Sequence, residues 1–236
     1  MPSKSHQTSI QAPALGPRRG PGAFFVFEGG EGTGKTTQIH KIKRSLEEDL
    51  QKEVIVTWEP GGTTLGQKIR EMLLDPEIPK MDARCEALLF AAARAEHVAK
   101  IIAPAVAEGK IVLCDRFWDA SRAYQGSGRA LGFQAIDRFN EWGTRAYYPD
   151  RVYVFDLDPR KGLERASART GGKLDRLEQE SYRFHDLVRN SYLKLAEINP
   201  RRYHVVEASS SIDEIHDDIM EDMKKCLLMP PQSSNA

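Results

Sequence analysis

Residues 24–36 read FFVFEGGEGTGKT. The first four are apolar without polar alternation, the mark of a strand buried on both faces of a sheet. They run into Gly29, four residues, and then Gly34-Lys35-Thr36, the GxxxxGK[ST] pattern. Each residue type has a chemical reason to be there. Gly29, Gly30, Gly32 and Gly34 permit backbone shapes that turn successive N–H groups inward, with Thr33 between them. The helix that starts near Gly34 adds the positive end of its dipole. Lys35 reaches β- and γ-phosphates, and the hydroxyl of Thr36 suits Mg²⁺, with Thr37 beside it. The stretch reads as a phosphate cradle and predicts nucleotide binding, here by residues 29–37. Glu31 sits inside it, and a carboxylate in a loop built for polyanions needs its own explanation.

Outward from this loop, residues 34–50 repeat apolar side chains with helical spacing (Ile39, Ile42, Leu46, Leu50). Strands are predicted at EVIVTW, KIVLCD, DRVYVFDLD and RYHVVEA. Helices are predicted over 64–74, 82–108 with a bend at Pro104, 133–145, 159–198 interrupted at ARTGGK, and 211–227, the last with Ile212, Ile215, Ile219 and Met223 on one face. Strands alternating with helices predict one α/β domain, doubly wound around a parallel five-stranded sheet, over residues 23–228. Ligands are then expected at the carboxyl ends of the strands.

Composition narrows the function classes. Lys plus Arg and Asp plus Glu both total 34, for a net charge of zero. That lacks the basic excess of nucleic-acid and membrane-surface proteins. No apolar run reaches the ~18–20 residues of a membrane span. Cys85, Cys114 and Cys226 are far apart, with neither disulfide nor metal spacing, as in a reduced compartment. A cytoplasmic protein is expected. Residues 1–22 are acid-free and rich in Ser, Pro and Gly, and read as a disordered extension. Its basic character allows organelle targeting, against which the Pro and Gly content argues. Residues 229–236 read as a flexible tail.

Among proteins with such a loop, the length suits a small kinase, and no guanine-reading NKxD is present. A kinase needs an acceptor site. TWEPGGTTLGQKIR follows the second strand, LLFAAARAEH lies in the long helix, and DRFWDASRAYQG follows the third strand. With FEGGEGTGKTTQ and LDRLEQES, these resemble thymidylate kinases of the bacterial type, from about Ala23 to Leu228, in the family's order and spacing. The resemblance implies a P-loop nucleoside monophosphate kinase that converts dTMP to dTDP with ATP·Mg²⁺ on the route to dTTP.

It also implies roles. Phe90 and Arg94, four apart on one helix face, match the Phe that stacks on thymine and the Arg that bonds its O4. Asp115 and Arg116 match the family's pair on the Mg²⁺ shell and the acceptor phosphate. Ser121 falls where the family reads base N3. Tyr124 falls where it closes the 2′ side of the sugar, which rejects ribonucleotides by sterics. Gln125 is a further contact, and Arg70 matches an arginine on the acceptor phosphate. Glu59 stands in EPGG, where the family commonly has Arg before the Glu and this chain has Trp58. The acid at Glu31 matches one that accepts a hydrogen bond from the 3′-hydroxyl of dTMP, which would explain the carboxylate. One subclass of the family carries Arg after this acid. Gly32 here matches the other subclass, in which a lid supplies the arginine. The lid is expected at about 165–178, with Arg169 favoured over Arg165 and Arg176 nearby. Lys35, Asp115, Arg116 and Arg169 form the expected catalytic set. Family members are usually homodimers. The alternatives are a kinase for another nucleoside monophosphate and a non-catalytic nucleotide-binding regulator.

Overall fold

In a computed structural model, which describes residues 20–78 and 81–228, five strands form one all-parallel sheet in the order β2-β3-β1-β4-β5. They are β1 (Ala23–Gly29), β2 (Val54–Trp58), β3 (Ile111–Asp115), β4 (Arg151–Asp156) and β5 (Tyr203–Glu207). All seven residues of β1 are buried, as its unbroken apolar run predicts. Phe24 and Val26 enter one core with Val112, Val152 and Phe90. Phe25 and Phe27 enter the other with Leu113, Tyr153, Ile39 and Ile219. The expected extension and tail fall outside the described residues except for 20–22, where the Gly22 N–H already donates to Val106 O at 3.0 Å.

Helices cover both faces: α1 (Lys35–Glu48), α2 (Thr64–Leu74), α3 (Ala83–His97), α4 (Ala103–Ala107), α5 (Trp118–Ser121), α6 (Phe133–Thr144), α7 (Pro159–Thr170), α8 (Tyr182–Ile198) and α9 (Ile212–Leu228). The helix expected over 82–108 is interrupted at Val98–Ile102, a widened π turn, and not at Pro104 itself. Pro104 has no N–H to offer the preceding turn and its ring crowds the backbone there. The wider turn accommodates this, with the Ala103 N–H reaching back to Val98 O. On α9, Ile215, Ile219 and Met223 are buried as expected, but Ile212 is exposed. It opens the helix, where its carbonyl accepts from Gln38 Nε2 at 2.8 Å.

Sequence spacing did not anticipate the segment after β3. It is the short helix α5 running into a second π-helical segment, Arg122–Gly128. Two glycines let it lie close to its neighbours: a Cβ on Gly126 would stand 2.9 Å from Phe133, and one on Gly128 2.5 Å from Phe184. Asp119 ties this segment to the far edge of the sheet. It accepts from Arg202 at 3.0 Å and from Tyr203 OH at 2.8 Å, and it pairs with Arg122 at 3.3 Å, all buried. Removing one partner of a buried ion network strands the others without water. Asp119→Ala is therefore expected to lower unfolding free energy by about 3–5 kcal/mol. A urea melt within about 1 kcal/mol of wild type would contradict this.

Candidate active site

The C-terminal ends of β1 and β3 lie side by side, with Phe27 in register with Asp115. That adjacency sets two loops against each other, the Gly-rich loop after β1 and the turn after β3. In the first, Gly29, Gly32 and Gly34 have φ of 139°, 62° and 91°, the left-handed range that glycine alone adopts easily. Lys35 is almost buried. Its Nζ donates to Gly30 O at 2.8 Å, Gly29 O at 3.3 Å and Thr33 Oγ1 at 3.2 Å. Burial and the neighbouring Arg116 lower its pKa to about 8, against the pull of Asp115, Glu31 and Glu28. An arriving polyanion would favour the charged form.

In the second loop, Arg116 has φ 69°, costly for a residue with a Cβ. Its N–H bonds to Phe27 O at 2.9 Å. Its guanidinium donates to Gly29 O at 2.9 Å and to Glu31 Oε1 at 2.6 Å, and lies 5.2 Å from the Tyr124 ring centroid. Tyr124 OH donates to the same Glu31 oxygen at 2.8 Å. The carboxylate inside the phosphate loop is therefore turned across to the β3 side. Burial opposes its ionisation, but Arg116, Lys35 and the Tyr124 hydroxyl overcome that and hold its pKa at about 2. Beside it, Thr36 Oγ1 donates to Asp115 Oδ2 at 3.2 Å. A hydroxyl and a carboxylate at this point are the hard oxygen donors that Mg²⁺ takes alongside phosphates.

Two cavities meet here. A cleft of about 750 Å³ is lined by residues 31–37 of the phosphate loop, by Asp115, and by Arg165, Arg169 and Lys173. A smaller cavity of about 80 Å³ is lined by Phe90, Ser121, Tyr124, Gln125, Pro60 and Leu177. Glu31, Glu59, Arg70, Arg116, Leu74 and Asp175 line both. Ser121, Tyr124 and Gln125 stand at i, i+3 and i+4 along α5 and the π segment, so one face reaches the smaller cavity. Gln125 Nε2 is committed to Glu86 at 2.8 Å. Arg70 NH1 is anchored on Pro60 O at 3.0 Å.

Arg94 is placed differently from Phe90, its partner on the helix face. It is 1% exposed and is not among the residues lining either cavity. It donates to Glu59 at 2.7 Å, Ser121 Oγ at 3.1 Å, Phe117 O at 2.9 Å, and the Asn140 side chain. Its neighbours Ala91 and Ala95 face α6, where a Cβ on Gly143 would stand 3.4 Å from Ala95 Cβ. His97, which sequence reasoning passed over, holds Glu59 Oε1 at 2.9 Å and Thr57 at 2.6 Å. Its place three residues after Arg94, on the same helix face, was the available signal. Asn140 carried no such signal, because it comes from α6.

The expected lid arginines separate. Arg169 is 66% exposed on the rim of the large cleft, 3.9 Å from Glu178. Arg165 lines the same cleft. Arg176 turns away, bonding Glu86 at 2.7 Å and Leu73 O at 2.8 Å. Asp175, not singled out in the sequence, faces both cavities while accepting from the Leu177 N–H at 2.8 Å and the Glu178 N–H at 2.9 Å. Position 32 has no room for the arginine found there in the other subclass. A Cβ on Gly32 would stand 2.0 Å from Gly162 O, where α7 presses on the loop.

The thymidylate kinase family model matches residues 27–219. The chain belongs to the thymidylate kinase family. Curated thymidylate kinases include one from Symbiobacterium thermophilum, 48% identical over 83% of this chain and 90% of its own. Another, from Halothermothrix orenii, is 47% identical over 88% and 99%. Among solved structures, a thymidylate kinase from Ehrlichia chaffeensis superposes with a TM-score of 0.70 at 32% identity, covering 86% of this chain and 98% of that one. Among the described residues no helix is long and apolar enough to cross a membrane.

The depressed Glu31 pKa has a consequence for stability. A carboxyl whose folded pKa lies below its unfolded value stabilises the fold above the unfolded pKa and loses that contribution as pH falls through the folded one. Here the window runs from about 4.5 down to about 2. Glu31→Gln is expected to flatten the melting-temperature profile across that window, relative to wild type. Parallel profiles for the two proteins would show that Glu31 is not held ionised by Arg116 and Lys35.

Proposed function

We propose that this thymidylate kinase transfers the γ-phosphoryl group of ATP directly to the phosphate of dTMP, giving dTDP and ADP, with the donor in the large cleft and the acceptor in the smaller cavity. The observation that carries the assignment is their common wall. Two separately built sites share Glu31, Arg70 and Arg116, where the two phosphate groups have to meet.

In this reading the N–H groups of residues 29–37 and Lys35 hold the ATP phosphates. Thr36 and Asp115 would hold Mg²⁺, which would supply positive charge to the phosphates. Arg116 and Arg70 grip the dTMP phosphate. Glu31 accepts from the 3′-hydroxyl, and Tyr124 closes the 2′ side. Phe90 stacks on the base, while Ser121 and Gln125 line its edge. Arg94 acts through Ser121 and Glu59, shaping the pocket from beneath. One acceptor phosphate oxygen forms a bond to the γ-phosphorus as the bond to the ADP oxygen breaks. A phosphate oxygen is already a competent nucleophile, so positioning and fixed charge carry the rate. Arg169, exposed on the rim, adds positive charge when the lid closes and water leaves. A homodimer and a cytoplasmic location complete the proposal. The exposed Leu65, Met72 and Leu88 on α2 and α3 support the dimer, and a monomeric mass by light scattering would overturn it.

The test is ADP release with ATP·Mg²⁺ and dTMP, dUMP, dCMP, dGMP or UMP. Preference for dTMP with UMP rejected is expected, and equal turnover of UMP would remove the gate assigned to Tyr124. Arg169→Ala is expected to lower kcat by roughly 10³-fold with little change in nucleotide affinity. A change confined to KM would remove Arg169 from the transition state.

A further inference from the structure

Glu28 is the one ionisable residue of β1, and at 0% exposure it lies wholly inside the molecule. A carboxyl there is costly unless its oxygens are satisfied. Both are. Oε1 accepts from the Phe117 N–H at 2.8 Å and the Ala120 N–H at 3.1 Å, and Oε2 accepts from Tyr192 OH at 2.8 Å. The two backbone donors are the N-cap residue and the third residue of α5. That helix has no side-chain cap of its own, because Phe117 occupies the capping position. Glu28 reaches across from β1 and supplies the missing acceptor.

The turn held in this way carries the acceptor half of the site. Arg116 immediately precedes Phe117 and is kept at φ 69°. Ser121 immediately follows Ala120. Phe117 is fixed from both sides, since its N–H goes to Glu28 and its carbonyl accepts from Arg94 at 2.9 Å. We propose that Glu28 is the positioning residue for the acceptor cavity, setting where Arg116 and Ser121 stand by accepting the Phe117 and Ala120 N–H groups. This rests on the assignment of that cavity to dTMP.

The role belongs to the reach of the oxygen and not to its charge. Burial, followed by Asp119, raises the Glu28 pKa to about 7, while Arg116, Tyr192 and the Phe117 N–H pull it back. Protonated or ionised, Oε1 remains an acceptor for both N–H groups, and Tyr192 OH can donate to or accept from the other oxygen. A glutamine offers the same carbonyl at the same distance. An aspartate keeps the charge but withdraws the oxygen by one methylene.

The experiment compares Glu28→Gln and Glu28→Asp with wild type, measuring kcat and KM for dTMP, equilibrium affinity for ATP, and melting temperature. E28Q is expected to stay close to wild type. E28D is expected to lose about 100-fold in kcat/KM for dTMP, the scale of a reacting group misplaced by about 1 Å, with ATP affinity kept. The inference is overturned if E28D turns over dTMP like wild type, if it weakens ATP and dTMP alike, or if E28Q falls as far as E28D. Should E28D not fold, E28Q decides alone: wild-type kinetics uphold the positioning role and a large loss overturns it. Arg116→Ala separates this from the cavity assignment. A wild-type KM for dTMP in R116A would refute the assignment itself, whereas a wild-type KM in E28D alone would refute the role of Glu28.

Discussion

The ion pair between Arg116 and Glu31, 2.6 Å long, is the contact on which the site's arrangement depends. A phosphate loop is a ring of donors, and a second cluster of donors beside it would repel Lys35 and Arg116 from each other. The carboxylate between them removes that conflict. Burial would discourage a charge at Glu31, yet two cations and a phenol hold it ionised, with a pKa near 2. The acid is thus compatible with polyanion binding because it faces the cationic turn and leaves the loop backbone free to face the donor.

That pair can form only because β1 and β3 are adjacent and parallel. Both chain directions then end at one edge, and the loops leaving them are neighbours. The sheet order changes direction around β1, the place where open α/β sheets leave a crevice for ligands. Glu28 strengthens the same junction from below, one residue before Gly29, by capping α5. A single strand therefore both begins the phosphate loop and bonds the turn opposite it.

Local patterns were legible in the sequence and long-range pairings were not. The GxxxxGK[ST] spacing, the buried apolar strands and the bounds of α2 follow from interactions within a few residues, and reading them yields the sheet and the phosphate loop. The resemblance added Tyr124, Ser121 and Phe90, which the fold brings to one small cavity. It also singled out Arg94, whose guanidinium lies in a buried network with Glu59, Asn140 and Ser121. Spacing alone offers no way to see that network, because its members come from four parts of the chain. The π segment after α5 was missed for a related reason: its shape is fixed by close contact of Gly126 and Gly128 with Phe133 and Phe184, and not by helical periodicity.

The basic stretch over 165–178 shows how packing can separate residues that composition leaves alike. Three arginines in one basic stretch look equivalent as sequence. Glu86, fully buried on α3, is bonded by Arg176 and by Arg129, so Arg176 serves as an anchor at the base of the segment. Arg165 begins one turn from the point where Gly162 meets the Glu31 carbonyl, a contact so close that a Cβ on Gly162 would stand 2.2 Å from that oxygen. The helix is pinned to the phosphate loop there. Arg169 lies a further turn out, past the contact and before the Gly171-Gly172 pair, whose φ values of 61° and 84° mark a turn rather than a continuing helix. Arg165 and Arg169 are both exposed and both line the large cleft, so what separates them is that Arg169 stands farther from the pinned contact, as an arginine recruited during closure would.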